Sequence, residues 1–535
     1  MFAQKRYTTM KQKKYWIYQF ENFDFDTFIE KYREICNRTE IEYVDYEPYI
    51  EYIPAEKMND DEYIESVTRE KENAMKGKVK LLQIQPHKPL LSNEKIRLKC
   101  AYVMHTVIYR CSSSKISQAS ISSQVLKSVI GHDYRMILDT LIEMQFIEKI
   151  SFINAPQYLS SEYSTNYSLN SKVKIEKVNT INRKIISYIE KTKELFNKYY
   201  DENENKLEQK YGRRFKLYYL KSLNSLKLIK QNEFDEYIKS IPNLTQGMIN
   251  YYDFIKDYLK NERYRIFSID NANRIYHVFC NLKRELKEYF NIKFVIDAKN
   301  SHALLFNYFI FYSHDINTKH SYNICKYLST INIEEDAVSA TNRYVGQKLY
   351  NILINNNIEV DSVNRLHYDE IEYIYVTTQG RLWDCFNDLH PDMNRSEVKT
   401  KMFKEVFYSN TKRIVWKSFA KEFIRKYPNV YKIIDRWKIP EEDDKIMHYI
   451  KENNIKSKKT SSALPVSMMK IESLIFTDIL QCLYKLNVYA LHIHDAIILP
   501  NISNNKNVNS YDVECIMKEV FKTYGLSPTF SVDIY

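Results

Sequence analysis

The sequence predicts an α+β protein that is mainly helical, contains a small antiparallel sheet and is divided into several domains. Its 535 residues are too many for one ordinary core, so two to four domains are expected. Long stretches place apolar residues at helical spacing, which predicts amphipathic helices. A few short runs rich in β-branched residues end at a turn or at an acidic residue, which is typical of strands.

The N-terminal part of the chain is predicted to form two regions. Residues 1–92 mix aromatic and charged side chains and carry no motif that we can assign to a role. In residues 93–170 the pattern predicts three helices, the last over 134–144, and then two short strands over 146–153 and 163–169. This order resembles a winged helix-turn-helix, whose second helix enters the major groove of DNA. A protein-docking module built on the same three helices is the alternative.

The composition excludes several kinds of protein. With seven glycines, the chain has no glycine-rich phosphate loop of the Walker or dinucleotide-binding type. Its eight cysteines form no Cys-x-x-Cys pair, which argues against zinc ribbons and a disulfide framework. No apolar run approaches the roughly 20 residues that cross a bilayer, and no signal-peptide core is present, so we expect a cytoplasmic protein without a membrane partner. The net charge of +11 suits a polyanionic partner but is common in other proteins too.

Residues 171–262 are predicted to be helical and are rich in lysine. Arg213 and Arg214 lie there between the aromatic residues Tyr211 and Phe215. Cations interleaved with rings can hold a phosphate backbone, so both arginines are candidate nucleic-acid contacts. A solvated helix surface is the alternative for each of them.

Two aspartates stand where metal ligands commonly stand. Asp495 follows His494 inside the apolar run 489–500, which predicts a β-hairpin with the acid at its tight turn. Burying a carboxylate there is costly unless a cation compensates its charge. Asp297 ends a β-branched strand, and polar residues then lead into an apolar helix. Acids at strand ends are common metal ligands, although a His-Asp pair taken alone is expected to occur by chance.

A third feature is a set of residues that recur at every fourth position. Arg395, Lys399, Phe403 and Phe407 would form one continuous stripe on a helix. The two cations can neutralise a triphosphate, and the two rings can pack against a base or a sugar. An ordinary helix with charged and core residues in succession is the alternative.

These three features occur in the order and approximate spacing of motifs A, B and C of the family A polymerases, a superfamily that includes the single-subunit phage RNA polymerases. The chain resembles this family over residues 263–535. The resemblance implies a right-hand polymerase fold, with a small antiparallel palm sheet and helical fingers and thumb, and we expect no exonuclease domain before it. The domains implied are a winged-helix-like domain at 93–170, a thumb-like region at 171–262, the palm at 263–315 and 464–535, and the fingers at 316–463.

Three further segments fit the resemblance. The segment 273–277 is similar to the family's Thr-Gly-Arg segment, which implies that Arg274 lies against the primer–template minor groove. Gly-Arg-Leu-Trp at 380–383 stands where the family has Gly-x-Asp-Ile-His. A helix predicted over 464–486 stands before motif C, with Glu472 as a candidate template contact.

The resemblance implies a two-metal mechanism of nucleotide addition. Asp297 and Asp495 would hold two Mg²⁺ ions. Arg395 and Lys399 would neutralise the triphosphate, and Lys399 would also protonate the departing pyrophosphate. The remaining contacts implied are Phe403 and Phe407 with the incoming nucleotide, and Arg274 and His494 with the primer side. The partners are primer–template DNA or RNA and nucleoside triphosphates, and the N-terminal region is a candidate for binding a replication protein.

The chain departs from the family pattern at four positions. Ala496 replaces the acid that follows the His-Asp aspartate in the DNA enzymes, although the phage RNA polymerases also lack it. Phe407 replaces a tyrosine, and Tyr408 follows where glycine is usual. His302 stands where DNA polymerases carry a glutamate that blocks the ribose 2′-OH. Because a histidine is bulky enough to act as such a gate, DNA synthesis is favoured over RNA synthesis.

Two alternatives stay open from the sequence. One is a single-subunit RNA polymerase that uses the winged helix to read a promoter. The other is a non-catalytic replication or regulatory factor, in which a winged-helix DNA binder is fused to a degenerate polymerase body. A replication role in a phage, plasmid or other mobile element suits a compact polymerase of this kind by analogy alone.

Overall fold

The computed structural model describes most of the chain and divides it into two compact units. Within the described residues, the first unit ends at residue 193 and the second runs from residue 194 to residue 535. None of the helices in the described part is long and apolar enough to cross a membrane. The described residues are 15–38, 91–112, 118–149, 164–170, 174–180, 182–241, 251–252, 255–256, 264–333, 344–387, 390, 393–409, 418–438, 440–441, 444–453, 455 and 463–535.

The first unit combines helices with two small antiparallel sheets. Its described elements are β1 (Tyr15–Phe20), α1 (Phe25–Arg38), α2 (Asn93–Ser112), β2 (Gln118–Ser122), α3 (Ser123–Ile130), α4 (Tyr134–Glu143), β3 (Ile147–Lys149), β4 (Ser164–Leu169) and β5 (Ile175–Thr180). One sheet has the strand order β2-β4-β3, and the other pairs β1 with β5.

The three helices expected in residues 93–170 are present, but the strands differ from the prediction. Strand β2 precedes α3 and was not predicted, because Ile121 is the one strong strand former among its five residues. Strands β3 and β4 are shorter than expected, and residues 150–163 lie outside the described ranges. The helical prediction for 171–262 is wrong at its start, since β5 is a strand that pairs with β1.

Helix α4, which the sequence predicts to enter the DNA major groove, does not present a basic surface. Its exposed side chains include Arg135, Asp139 and Glu143. Glu143 is engaged by α1, since its Oε1 lies 2.7 Å from Lys31 Nζ. A helix that approaches phosphates usually presents positive charge. DNA recognition by α4 therefore stays a prediction, and the charge of this surface does not favour it.

The second unit is largely helical and holds a four-stranded sheet. Its helices are α5 (Arg183–Ser225, which begins in the first unit), α6 (Gln231–Ser240), α7 (Ser301–Ser313), α8 (Thr318–Thr330), α9 (Val345–Asn355), α10 (Val360–Val363), α11 (Tyr368–Thr378), α12 (Leu382–Asn387), α13 (Arg395–Met402), α14 (Ser418–Lys426), α15 (Pro428–Lys438), α16 (Lys445–Glu452), α17 (Ala463–Lys485) and α18 (Ser510–Thr523). Its strands are β6 (Ser268–Ile269), β7 (Ile275–Tyr276), β8 (Ile292–Ala298), β9 (Leu491–Ile493), β10 (Ala496–Pro500) and β11 (Phe530–Ile534). Three 3₁₀ segments, Val278–Asn281, Arg284–Tyr289 and Ser503–Asn505, and one π turn, Phe403–Phe407, complete the described elements.

The four-stranded sheet is antiparallel and has the order β11-β8-β10-β9. Its strand β8 runs through the core, with Phe294, Val295 and Ile296 almost fully buried. Helix α17 packs against β9 and helix α18 against β8. The sheet is therefore a rigid support for the side chains at the end of β8 and at the β9–β10 turn.

Two polar side chains fasten the loop after β10 to the sheet. The buried amide of Asn505 donates to the carbonyls of Tyr489 (2.7 Å) and Pro500 (2.9 Å) and accepts from the Tyr489 amide (3.0 Å). The ammonium of Lys293 on β8 donates to the carbonyls of Asn505 (3.0 Å), Lys506 (2.8 Å) and Val508 (2.8 Å). These bonds hold the base of the β9–β10 hairpin in one register.

We predict that Asn505→Ala destabilises the second unit. The substitution removes three hydrogen bonds and leaves buried backbone groups unpaired, which is expected to cost about 2–4 kcal/mol. Thermal unfolding followed by circular dichroism measures the loss. Asn501→Ala, at an exposed asparagine of the same loop, is the matched control. Equal melting temperatures for the two variants would contradict the role given to Asn505.

Candidate active site

The two candidate aspartates lie at neighbouring ends of the four-stranded sheet. Asp297 is the penultimate residue of β8, and its cross-strand partners are Ala496 on β10 and Ser531 on β11. Asp495 occupies the turn between β9 and β10, and its carbonyl accepts a 3.1 Å hydrogen bond from the Ala298 amide. His494 opens the turn with φ +55°, a left-handed conformation that tight hairpin turns use. The hairpin expected from the sequence is therefore formed, and it brings the two carboxylates together.

The surroundings of the two carboxylates disfavour their ionised forms. Burial raises the pKa of Asp297, and the negative charge of Asp495 raises it further. Burial likewise raises the pKa of Asp495, and the charge of Glu472 adds to that effect. Both groups are half-buried, so water compensates their charges only in part. A cation between them would relieve this repulsion.

Three basic side chains lie near enough to act on Asp297. Lys399 of α13 lowers the pKa of Asp297 and of Asp495, although the effect of burial is larger. Lys287 and Arg284 also lower the pKa of Asp297. Both belong to the 3₁₀ segment before β8, where residues three apart share a face. Arg284 is anchored on the edge strand by a 2.6 Å hydrogen bond from its Nη2 to Asp533 Oδ2.

The donor set of this site fits magnesium better than a softer metal. Mg²⁺ prefers carboxylate oxygens, and it commonly takes one or two of them and completes its shell with water and substrate phosphates. Asp297 and Asp495 supply two such ligands. Within the described ranges no three His, Cys, Asp or Glu side chains gather in a way that could hold a metal ion. Within these ranges, the candidate metal site therefore consists of two carboxylates, and the residue after Asp495 is Ala496.

The predicted stripe along α13 is interrupted at its end. Helix α13 runs into a π turn over Phe403–Phe407, in which the Tyr408 amide donates to the Phe403 carbonyl five residues earlier (2.8 Å). The ring of Phe407 is fully buried and packs against Phe306 and Phe423, while its centroid stays 5.9 Å from that of Phe403. Tyr408 instead stacks on Phe403, with ring centroids 5.2 Å apart. A contact of Phe407 with a nucleotide therefore stays a prediction that its burial does not favour, and Tyr408 is the more exposed of the two rings beside Phe403.

Tyr408 belongs to a hydrogen-bonded chain centred on His302. The Tyr408 hydroxyl lies within hydrogen-bond distance of His302 Nδ1, and His302 Nε2 lies 3.0 Å from Glu472 Oε1. Arg274 Nη2 lies 2.9 Å from the same Nε2, so both ring nitrogens of His302 have polar partners. The chain fixes the orientation of the His302 ring, which meets the Phe403 ring edge to face at 5.4 Å.

Glu472, predicted to face the site as a template contact, is buried among side chains of the protein. Its side chain is 2% exposed and forms ion pairs with Arg274 and His302. Burial opposes ionisation of Glu472, but the charge of Arg274 and the contact with His302 outweigh it and lower its pKa to about 2. Glu472 therefore holds Arg274 and His302 in place, and the expected template contact finds no support in its burial.

The remaining predicted residues are spread around this centre. Arg395, at the start of α13, is exposed and lies 3.0 Å from Asp384. His494 meets Tyr276 edge to face, with ring centroids 6.0 Å apart. Arg213 and Arg214 are exposed just after Gly212, where φ +86° breaks the regular course of α5. The structure brings Asp297, Asp495 and Lys399 together. Arg213 and Arg214 lie on a different helix, α5.

The segment 380–383 also approaches the site. Gly380 has φ +74°, and a Cβ added there would lie 2.9 Å from the Cβ of Lys299, two residues after Asp297. A glycine is needed here both for the backbone conformation and for the close contact.

Sequence reasoning missed Lys287, Arg284 and the contact role of Tyr408. The two cations carry a weak local signal, since Arg284 and Lys287 recur at a spacing of three before a strand that ends on an acid. No local signal marks the π turn. Tyr408 departs from the glycine of the family pattern, and its contact with His302, 106 residues earlier, cannot be predicted from local sequence.

Comparisons with known proteins give limited information about this chain. No protein-family model and no curated protein matches it. Among solved structures the chain is similar to the POL domain of Pol1 from M. smegmatis in complex with DNA primer–template and dNTP, with 10% sequence identity and a TM-score of 0.24. The similarity covers 57% of this chain and 55% of that one, so the chain spans about half the length of the structure it matches. A similarity this low establishes neither the fold nor the function of this chain.

We predict that Asp297→Asn stabilises the metal-free protein at alkaline pH. The pKa of Asp297 is higher in the folded than in the unfolded chain, so ionisation above the unfolded value of about 4 favours unfolding. The variant lacks this penalty, and its melting temperature should exceed that of the parent by a few degrees at pH 8 and by little at pH 5. Calorimetry in EDTA measures the difference, with the exposed-site variant Asp361→Asn as the control. A variant less stable than the parent at pH 8 would contradict the repulsion.

Proposed function

We propose that the chain is a metal-dependent, template-directed nucleic-acid polymerase that extends a primer with deoxyribonucleotides. The observation that carries the proposal is the pair of repelling carboxylates at adjacent ends of the sheet, with Lys399 of a separate helix acting on both. Like charges brought together at partly buried positions destabilise a fold. Perturbed groups of this kind are typical of sites that bind cations or perform catalysis.

The proposed reaction is in-line attack of a primer 3′-OH on the α-phosphate of a nucleotide. Two Mg²⁺ ions bound by Asp297 and Asp495 would stabilise the charge on the attacking and leaving oxygens. Lys399 would neutralise the triphosphate and hold a proton on Nζ for the departing pyrophosphate. Lys287 and Arg284 would add positive charge beside Asp297.

The nucleotide would lie along α13 and the π turn. Arg395 is exposed at the start of this helix, so its guanidinium can turn from Asp384 to a phosphate. Phe403 is half-buried and can pack on a base or sugar. Tyr408 takes the role first expected of Phe407, whose ring is in the core.

The preference for deoxyribonucleotides is proposed to depend on His302. Its ring is held on one side by Tyr408 and on the other by Glu472. A ring fixed in this way cannot easily turn aside, so it can exclude a 2′-OH by its volume. A dNTP is therefore preferred to an NTP as the substrate in this proposal.

The primer–template would contact basic residues on both sides of the site. Arg213 and Arg214 are exposed cations that can hold phosphates. Arg274 is held by Glu472 and has a side chain that is 12% exposed, so only its tip can reach a minor groove. The first unit is proposed to bind either DNA or a replication protein, and the mixed charge of α4 favours the protein.

We predict that Asp297→Asn and Asp495→Asn each abolish nucleotide addition, because either change removes half of the metal-binding charge. Extension of a labelled DNA primer with Mg²⁺ and each type of nucleotide, with and without template, measures the activity. Binding of the primed template, measured by fluorescence anisotropy, should change less than about threefold, since phosphate contacts elsewhere dominate affinity.

Asp361→Asn is the control for these two variants and should extend the primer like the parent chain. Full activity of Asp297→Asn or Asp495→Asn would refute the assignment of the site. A parent chain that binds the primed template and adds no nucleotide would support the non-catalytic alternative.

We predict that His302→Ala lowers the selectivity for deoxyribonucleotides over ribonucleotides by at least about tenfold, which corresponds to about 1.4 kcal/mol of transition-state discrimination. The measurement compares kcat/KM for dNTP and NTP on one primed template. His448→Ala, at an exposed histidine of α16, should leave the ratio unchanged. A parent chain that prefers ribonucleotides would identify the RNA polymerase alternative instead.

A further inference from the structure

The π turn at Phe403–Phe407 needs a stabilising contact. A π turn is rare in proteins and occurs frequently at functional sites. It also ends a helix, where the last carbonyl groups have no partner within the helix. One of these carbonyls belongs to Val406, whose side chain is fully buried, so water cannot easily replace the missing donor.

The donor to this carbonyl is the buried ammonium of Lys438, the last residue of α15. Lys438 has no exposed surface, and its Nζ hydrogen-bonds the Val406 carbonyl and lies 3.4 Å from Ser409 Oγ. It also lies 5.9 Å from the centroid of the Tyr431 ring. A lysine ammonium is costly to bury, so it is found inside a protein mainly where several acceptors fix it. Its acceptors here flank Phe407 and Tyr408.

The position of Tyr408 follows from this contact. If the chain continued as an α-helix, residue 407 would lie over Phe403 and residue 408 would turn away. In the π turn, Phe407 enters the core and the Tyr408 ring stacks on Phe403 with its hydroxyl at His302. Lys438 therefore acts on His302 through two intermediate groups, the Val406 carbonyl and Tyr408.

We propose that Lys438 is a positioning residue that sets the sugar selectivity of the site by holding the π turn and, with it, the Tyr408 hydroxyl on His302. The proposal depends on the polymerase function and on the gate role of His302. Lys438 does not touch the nucleotide. Its loss changes which residue of the fingers helix supports the imidazole.

The test uses the full chain with Lys438→Met, Tyr408→Phe and the double variant. Lys426→Met is the comparison variant, because Lys426 is also a buried lysine, 1% exposed, and its ion pair is with Glu372 and not with a group of the π turn. Two quantities are measured for each variant. One is the ratio of kcat/KM for dNTP to that for NTP, and the other is hydrogen exchange of the peptide 403–409, which contains the Tyr408 amide of the π turn.

We expect Lys438→Met to speed exchange in 403–409 at least tenfold and to lower the selectivity ratio to the value of Tyr408→Phe. The double variant should show no further loss of selectivity, because both changes remove the same support of His302. Lys426→Met removes the ion pair of the buried Glu372 and should lower the melting temperature, but it should change both quantities less than Lys438→Met does.

Three outcomes would overturn the proposal. Unchanged exchange in Lys438→Met would overturn the proposal, and so would faster exchange with an unchanged selectivity ratio. An equal loss of selectivity in Lys426→Met would also overturn it, since that loss would reflect general destabilisation. If the parent chain adds no nucleotide, the polymerase function fails and with it the selectivity role, while the exchange rates still decide whether Lys438 holds the turn.

Discussion

The repulsion between Asp297 and Asp495 at one end of the four-stranded sheet constrains the second unit more than any other interaction. Two partly buried carboxylates would separate if their backbones could move. They are held by the pairing of β8 with β10 and by the bond from the Ala298 amide to the Asp495 carbonyl. Lys293 and Asn505 fasten the base of the same hairpin. The fold thus preserves an unfavourable arrangement that a bound cation would make favourable.

A second set of contacts links the sheet to the helices around it. Glu472 of α17 pairs with Arg274 after β6 and with His302 of α7, and His302 meets Tyr408 after the π turn. A buried carboxylate of this kind stays ionised because both partners are in place. The contacts therefore link α7, α17 and the end of α13, and they hold the ring of His302 from both sides.

Local patterns were enough to predict that Asp297 ends a strand, that Asp495 lies in a hairpin turn and that Lys399 lies on a helix, because each pattern is visible in a few residues. Contacts between residues that are far apart in the sequence cannot be predicted from such local patterns. The spacing of four from Arg395 to Phe407 is the same whether the helix ends regularly or in a π turn, and the choice depends on Lys438, which lies in a later helix.

The same limit explains the other differences between prediction and structure. Glu472 could not be recognised as an anchor without its partners Arg274 and His302. Strand β5 was read as part of a helical region because its partner β1 lies near the start of the chain. The sequence of α4 shows that its side chains have mixed charge, but it does not show which of them are exposed.

The central claim, that Asp297 and Asp495 together hold divalent metal, is tested most directly by titrating the protein with Mn²⁺ in the presence of primed template and nucleotide and following the free ion by electron paramagnetic resonance. We predict that the parent chain removes Mn²⁺ from solution, that Mg²⁺ competes for the same sites, and that either Asp297→Asn or Asp495→Asn abolishes this uptake. Uptake that is unchanged in both variants would contradict the account.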